Sequence, residues 1–93
     1  KIVPVTFKDD KNNVLFFGLY DLDGFYVDGL HVHSLCGNFG KHGGFCTSFF
    51  EGVAKHLSKK RVTFCTKFRM IEKMALRLGY FENQFGDMEK RVA

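Results

Sequence analysis

Alternating apolar and polar positions predict that the amino-terminal third of the chain consists of β-strands. Residues 2–8 alternate over seven positions, and Pro4 favours a sheet edge or the start of a strand. After a polar turn, Val14–Tyr20 is so continuously apolar that we expect a strand with no solvated face. These two strands form a predicted hairpin. A third strand is expected after residue 24, with a kink or bulge at Gly29.

From Phe45 onwards the apolar residues recur at steps of three and four, which predicts α-helices. The helices are expected over Phe45–Lys59 and Phe68–Leu78, with a short strand, Val62–Thr66, between them and a final edge strand, Met88–Val92. The helix residues predicted to be buried are Phe49, Leu57, Ile71 and Leu78. The order β-β-β-α-β-α-β predicts a mixed α/β fold with a mostly antiparallel sheet and two helices.

Four glycines lie within eight positions between the third strand and the first helix: Gly37, Gly40, Gly43 and Gly44. A turn that opens into a helix leaves the first helical amides without intrahelical partners, and the helix dipole adds partial positive charge there. Lys41 within the turn adds a full charge. The segment is therefore a candidate site for phosphate or pyrophosphate. The alternative is a glycine-rich connection that only reverses the chain.

The composition fits a single domain, 1–93, because the chain has 93 residues, 45% hydrophobic content and twelve phenylalanines. The formal charge of +4 permits a polyanionic partner, but basic and acidic residues are interleaved and there is no basic tail. Nucleic-acid binding is therefore a secondary hypothesis, and it depends on one group of basic residues. This group comprises Lys55, Lys59, Lys60, Arg61 and Lys67.

The three cysteines, Cys36, Cys46 and Cys65, are odd in number and contain no Cys-x-x-Cys pair. They fit reduced thiols in the cytosol or a virion interior better than a secreted disulfide framework, and we assign no metal site. No apolar run approaches the roughly 18 residues of a membrane span, so we expect no membrane insertion. We also find no signal peptide. The chain begins with Lys1 rather than Met, which leaves open whether residues precede it.

The order of elements and two short motifs resemble the GNAT-type acetyltransferases. Lys41-His42-Gly43-Gly44-Phe45-Cys46 resembles the pyrophosphate loop of that family, and Leu78-Gly79-Tyr80 is similar to its Leu-Gly-aromatic ending. The resemblance covers Val14–Val92 and implies a GNAT-like fold with acetyl-CoA as the cofactor. The implied cofactor-binding residues are Lys41, His42, Gly43, Gly44, Phe45 and Cys46. The family includes shortened and degenerate members in bacteriophages, among them virion-internal proteins.

Acetyl transfer to an amine needs a general base, donors for the acetyl carbonyl oxygen and a proton source for the departing thiolate. The candidate catalytic residues are Asp28, His31 and His33. On a strand the two histidines share one face, and imidazoles with a reference pKa of about 6.5 exchange protons near neutral pH. They would flank the place where the substrate amine of the family sits. The alternative is that they only cover a solvated sheet face.

The proton source is less evident. In the family, a tyrosine three or four residues before the Leu-Gly-aromatic ending often protonates the leaving thiolate. Alignment on Leu78 and Gly79 places Ala75 at that position. Tyr26 and Tyr80 are the substitutes, and each also fits a core or rim position.

Two functions therefore remain open. The first is an acetyl-CoA-dependent N-acetyltransferase that acts on a small-molecule or protein amine. The second is a catalytically silent GNAT-like protein with a structural or interaction role, for example a bacteriophage virion component. We expect an amine-bearing substrate or a protein partner and a cytoplasmic location, which is the host cytoplasm or the virion if the protein is viral. The acyl acceptor and the oligomeric state are left open.

Overall fold

A computed structural model describes residues 1–92, apart from the side chains of residues 39 and 40. The predicted domain, 1–93, extends one residue beyond the described part. The elements are β1 (Ile2–Lys8), β2 (Val14–Leu22), β3 (Gly29–Gly37), α1 (Phe39–His56), β4 (Arg61–Phe64), α2 (Arg69–Arg77), β5 (Phe81–Glu82) and β6 (Met88–Arg91). The predicted mixed α/β class with two helices is confirmed.

The strands form one six-stranded sheet in the order β1-β2-β3-β4-β6-β5. Only β3 and β4 are parallel, and α1 connects them; every other neighbouring pair is antiparallel. β1 lies at an edge, as Pro4 predicted. The prediction that Met88–Val92 forms an edge strand is wrong, because the two residues of β5 pair with β6 on the side away from β4.

Helix α1 begins six residues before the predicted start at Phe45, so the predicted glycine turn from Gly37 to Gly44 is wrong. Asn38 caps the helix: its side-chain Oδ1 accepts from the backbone N–H of Lys41 at 3.2 Å, and its carbonyl accepts from the N–H of His42 at 3.0 Å. A good cap and a first turn without proline outweigh the low helix propensity of glycine, which costs about 1 kcal/mol per residue relative to alanine.

The core lies between the sheet and the two helices. Its α1 residues are Cys46, Phe50 and Ala54, spaced by four, and not the predicted Phe49 and Leu57, which are exposed. Ile71 and Leu78 of the second helix are half-buried. The prediction failed because α1 has apolar residues on adjacent stripes, and periodicity alone does not say which stripe faces the sheet.

The pairing of β2 with β3 contains a bulge that positions one of the candidate catalytic residues. Leu19 pairs with Ser34 and the next residue, Tyr20, pairs with Val32, so His33 is the extra residue on β3. The bulge therefore lies at His33 and not at the predicted Gly29. A bulge locally breaks the ladder and redirects a side chain.

The face of the sheet opposite the helices carries what we call the polar row: Asp21, His31, Thr63 and Glu89. These residues lie on β2, β3, β4 and β6, and each is the register partner of the next. All four are buried, although each is polar or charged. The same face is solvated farther out on β2, where Phe17 is exposed, so the prediction that Val14–Tyr20 has no solvated face is wrong.

Candidate active site

A cleft opens in the sheet where the parallel strands β3 and β4 diverge. The two strands pair over four positions, from Gly29 opposite Arg61 to Val32 opposite Phe64. Beyond this point β3 continues to Gly37, whereas β4 ends at Phe64 and the polypeptide leaves the sheet towards α2. The resulting cavity has a volume of about 350 Å³. Its lining is mostly apolar and includes Val32, Leu35, Phe50, Phe64, Met74 and Tyr80, together with His33.

The edge of β3 along this cleft offers backbone groups to a ligand. From Ser34 to Gly37 this strand pairs with β2 on one side, and no described strand pairs with it on the other. In an extended chain alternate N–H and C=O groups point to that open side. The cleft therefore combines apolar walls with a row of backbone donors and acceptors.

The six residues predicted to bind the cofactor are spread over two turns of α1. Gly43 and Cys46 line the cleft. Lys41 is exposed, and Phe45 is exposed with its ring 5.8 Å from that of Phe7 on β1. Because the helix begins at Phe39, the amides of residues 43–46 lie within the helix and are not its free first donors. The expectation that these amides are the free donors at the start of the helix is therefore wrong.

Gly43 is the point where α1 and α2 approach each other beside the cleft. A Cβ atom added there would collide with the side chain of Met74, whereas a Cβ at Gly44 would meet nothing within 4 Å. The first glycine thus shapes the cleft wall, and the second is open to substitution.

The two histidines of β3 lie on the same face, as predicted, with ring centroids 5.0 Å apart. The Nδ1 atom of His31 lies 2.7 Å from the hydroxyl of Thr63. Burial of His31 is the main cause that lowers its pKa below 6.5, and the nearby Asp87 carboxylate opposes this shift. His31 is therefore neutral at neutral pH and is already hydrogen-bonded within the polar row.

His33 differs from His31 in its surroundings. Its Nε2 atom lies 2.5 Å from Oδ2 of Asp21, and its side chain is 24% exposed against 6% for the aspartate. The ring of Phe25 covers both imidazoles, at 4.5 Å from His31 and 4.9 Å from His33. Of the two histidines, only His33 lines the cleft.

Asp28, the third predicted catalytic residue, is not brought to this site. It precedes β3 in a left-handed conformation with φ of 55°, and its carbonyl accepts from the N–H of Lys60. His33 lies five residues farther along the chain, which corresponds to about 16 Å along a strand. The carboxylate that contacts the histidine belongs to Asp21.

Tyr80 is the tyrosine that lines the cleft. Its hydroxyl donates to Glu51 at 3.1 Å, and burial raises its pKa, so the phenol stays protonated. Ala75, the position aligned with the tyrosine of the family, is fully buried in the core, and the residues of α2 that line the cleft are Ile71 and Met74. Tyr26 lies on the opposite face of the sheet, where its hydroxyl donates to Asp87 at 2.5 Å.

The three cysteines are free thiols. Cys46 is buried in the cleft wall, and burial raises its pKa to about 11, so it packs as a small apolar side chain and is not a thiolate nucleophile. Cys36 and Cys65 are exposed. Among the described residues, no group of three or more His, Cys, Asp or Glu is arranged to hold a metal ion.

Two of the five basic residues proposed for nucleic-acid binding have partners within the domain. Lys59 forms an ion pair with Asp23 at 2.5 Å, and the guanidinium of Arg61 lies over the ring of Tyr26 at 5.1 Å. This use of charge does not favour a free basic surface. Within residues 1–92, no helix is long and apolar enough to cross a membrane.

Sequence reasoning missed Asp21 and Thr63 as parts of the site. The predicted second strand ends at Tyr20, one residue before Asp21, but β2 continues through Leu22. Thr63 looked like an ordinary strand residue. Only the register across β2, β3 and β4 brings them beside the histidines, and no local pattern carries that register.

Several solved structures that are similar to this chain in fold are acetyltransferases. One of the GNAT family from Staphylococcus aureus Mu50 has a TM-score of 0.73 and 12% sequence identity, and the match covers 92% of this chain and 65% of that one. One from Bacillus cereus ATCC 14579 has a TM-score of 0.63 and 18% identity, with 98% and 73% covered. One of the GNAT family from Listeria monocytogenes 4b F2365 has a TM-score of 0.69 and 11% identity, with 92% and 62% covered.

The fold is therefore GNAT-like, as the motif resemblance predicted. The chain spans between 62% and 73% of the lengths of these three structures. No protein-family model and no curated protein sequence matches it.

Proposed function

We propose that the protein is an acetyl-CoA-dependent N-acetyltransferase that acts on a small-molecule or protein amine. The observation that carries the proposal is the cleft of about 350 Å³ between the diverging strands β3 and β4, with His33 on its wall. The volume lies in the range of small-molecule sites, roughly 300–1,000 Å³. The GNAT-like fold supports the same chemistry.

The cleft residues fit an acetyl thioester on a long, narrow arm. Apolar walls from Val32, Leu35 and Phe64 suit an alkyl chain with few charges. The open edge of β3 from His33 to Gly37 offers backbone N–H groups to amides of the arm and to the acetyl carbonyl oxygen. Acetyl-CoA would supply an activated acetyl group, and the start of α1 at Asn38 would lie beside its phosphates.

In this proposal His33 is the general base. It lines the cleft, its side chain is partly exposed, and a neighbouring carboxylate holds its ring. His31 is buried and hydrogen-bonded to Thr63, so it packs beside the ring of His33 and does not itself take the proton. Tyr80 lines the cleft, but its raised pKa makes it a weak acid, so water is the main proton source for the thiolate and Tyr80 has a minor role.

The first experiment is calorimetric titration of the folded protein with acetyl-CoA and with CoA. We expect both to bind, because most of the proposed contacts are shared. Gly43→Leu should weaken binding about tenfold or more by filling the cleft wall at Met74, which corresponds to about 1.4 kcal/mol. Gly44→Leu is the matched control on the same helix and should bind like the parent. Circular dichroism verifies that both variants fold.

The second experiment measures CoA release with a panel of polyamines, peptides and proteins as acceptors. His33→Gln should slow turnover by roughly 10²–10⁴-fold. Tyr80→Phe should reduce it less, because CoA thiolate leaves readily and positioning carries much of the rate. Folded parent protein that neither binds acetyl-CoA at millimolar concentration nor releases CoA would contradict the proposal.

That outcome would favour the alternative, a catalytically silent GNAT-like protein with a structural or interaction role. The observation behind this alternative is a stripe of α1 beside β1, where Phe45, Phe49 and Leu57 are exposed although the first two also contact Phe7. Exposed apolar side chains at helical spacing are typical of interaction surfaces.

A further inference from the structure

Asp21 is a buried carboxylate with an incomplete set of hydrogen bonds. Its Oδ2 atom lies 2.5 Å from Nε2 of His33, while Oδ1 is buried and has no hydrogen-bond partner among the described residues. Gly24 packs over the same group, since a Cβ there would lie 2.5 Å from Oδ2. A buried carboxylate is costly without donors, so its interaction with the histidine is strong and specific.

This pairing assigns the two ring nitrogens of His33. An ionised carboxylate only accepts hydrogen bonds, so Nε2 must donate, and in the neutral ring Nδ1 then carries the lone pair. The described residues provide no hydrogen-bond partner for Nδ1. Nδ1 is therefore the nitrogen left for a substrate.

The bulge makes this geometry possible. In the register of β2 and β3, Asp21 is the partner of His31, yet its side chain bonds to His33, two residues farther along. The extra residue in β3 brings the second imidazole back to the carboxylate. The pairing is thus a result of strand irregularity and not of simple cross-strand alternation.

We propose that Asp21 is a positioning residue that holds the His33 ring with Nε2–H donated to its carboxylate and Nδ1 free to take the proton of the acceptor amine. The role rests on the proposed acetyltransferase function. As the amine nitrogen forms its bond to the acetyl carbon, its proton passes to Nδ1 and the C–S bond breaks. The thiolate leaves with the electron pair, and Asp21 stabilises the imidazolium that results.

Few other charged groups act on the ring. His31, which is neutral, faces the ring from the same strand, and the uncharged ring of Phe25 faces it from the loop before β3. Lys67 and Cys65 line the same cleft from the segment between β4 and α2. Asp21 is the described carboxylate in direct contact with His33.

The test compares Asp21→Asn with Asp23→Asn. The second variant also removes one negative charge, but from Asp23, which lies two residues along the chain and forms an exposed ion pair with Lys59. We expect Asp21→Asn to lower kcat by roughly 10²–10⁴-fold. The KM for acetyl-CoA should not change, because Asp21 does not line the cleft. Asp23→Asn should keep kcat within about twofold of the parent.

A spectroscopic measurement separates positioning from general damage. In the parent protein, nitrogen NMR of the neutral His33 imidazole should show a protonated Nε2 and an unprotonated Nδ1. The Nε2 proton should exchange slowly with water. In Asp21→Asn the Nε2 proton should exchange rapidly. If that variant does not fold, Gly24→Ala serves instead, since its methyl group displaces the carboxylate while retaining the charge.

The outcomes distinguish this inference from the proposed function. An active parent whose kcat and Nε2 proton exchange are the same in Asp21→Asn overturns the positioning role alone. A folded parent that binds no acetyl-CoA overturns the proposed function and the role together, even if the NMR signature of the Asp21–His33 pair is present.

Discussion

On the face of the sheet that carries α1 and α2, the strands present Phe16, Leu30 and Val62 to a dry core. On the opposite face, the same strands present the polar row, whose members are as well buried but are connected by register and hydrogen bonds. One face thus holds the domain together through apolar burial. The other depends on hydrogen bonds between its polar groups, because an unpaired buried polar group costs about 1–3 kcal/mol, and among the described residues Oδ1 of Asp21 has no such partner.

The difference also explains where chemistry is possible. The cleft begins on the helix side, where β3 and β4 separate, and His33 connects it to the polar row through its bond to Asp21. Apolar walls and a hydrogen-bonded imidazole therefore meet at one point of the sheet. Alternation of side chains along β3 places the two environments within one or two residues of each other.

The largest effect is expected on the helix face. Phe50→Ala should destabilise the domain by about 3–5 kcal/mol, because Phe50 is 2% exposed and a cavity would remain in the core. Phe49→Ala is the matched control: its ring is 37% exposed, and we expect a loss of about 1 kcal/mol. Chemical denaturation of both variants checks the comparison. Equal losses would show that the buried stripe of α1 has been assigned incorrectly.

A smaller effect is expected within the polar row. Thr63→Val keeps the shape of a fully buried side chain but removes the hydroxyl that pairs with His31, so we expect a loss of about 1–3 kcal/mol. Thr63→Ser retains the hydroxyl and should cost less. If the valine variant were the more stable of the two, the hydrogen bonds of this face would not contribute as argued.

A still smaller change, of opposite sign, is expected on the outer surface of α1. Gly44→Ala should stabilise the domain by about 0.5–1 kcal/mol, because glycine is a poor helix former and a Cβ there meets nothing within 4 Å. Thermal unfolding checks this. A destabilised variant would indicate that the helix does not begin at Phe39, since alanine is unfavourable in a turn that requires glycine.

The sequence predicted most of the fold because its strands and helices are strongly periodic, and the Leu78-Gly79-Tyr80 ending was placed correctly at the end of α2, where Gly79 has φ of 95°. It did not predict the start of α1, because four glycines suggested a turn where Asn38 caps a helix. Half of the candidate site could also be predicted from the periodicity of the sequence. His31 and His33 follow from alternation, but Asp21 and Thr63 depend on register between distant strands.

The smallest effect concerns pH and one proton in the polar row. Burial lowers the pKa of His31 below 6.5, while the carboxylates of Asp87 and Asp21 oppose the shift, which limits its size. A histidine whose pKa is lower in the folded state than in the unfolded state stabilises the fold while it is neutral. This contribution is fully present above the unfolded-state pKa of about 6.5, and it is lost as the pH falls towards the folded-state pKa.

The free energy of unfolding should therefore fall as the pH is lowered from about 7.5 through 6.5, above the range in which ordinary carboxylates titrate. His31→Gln, which retains hydrogen-bonding groups beside Thr63, should fall less over the same interval. The difference between the two curves isolates His31 from the other three histidines of the chain. If the variant lost more stability than the parent on acidification, His31 would be protonated in the folded state, and the polar row would be stabilised by charge and not by neutral hydrogen bonds.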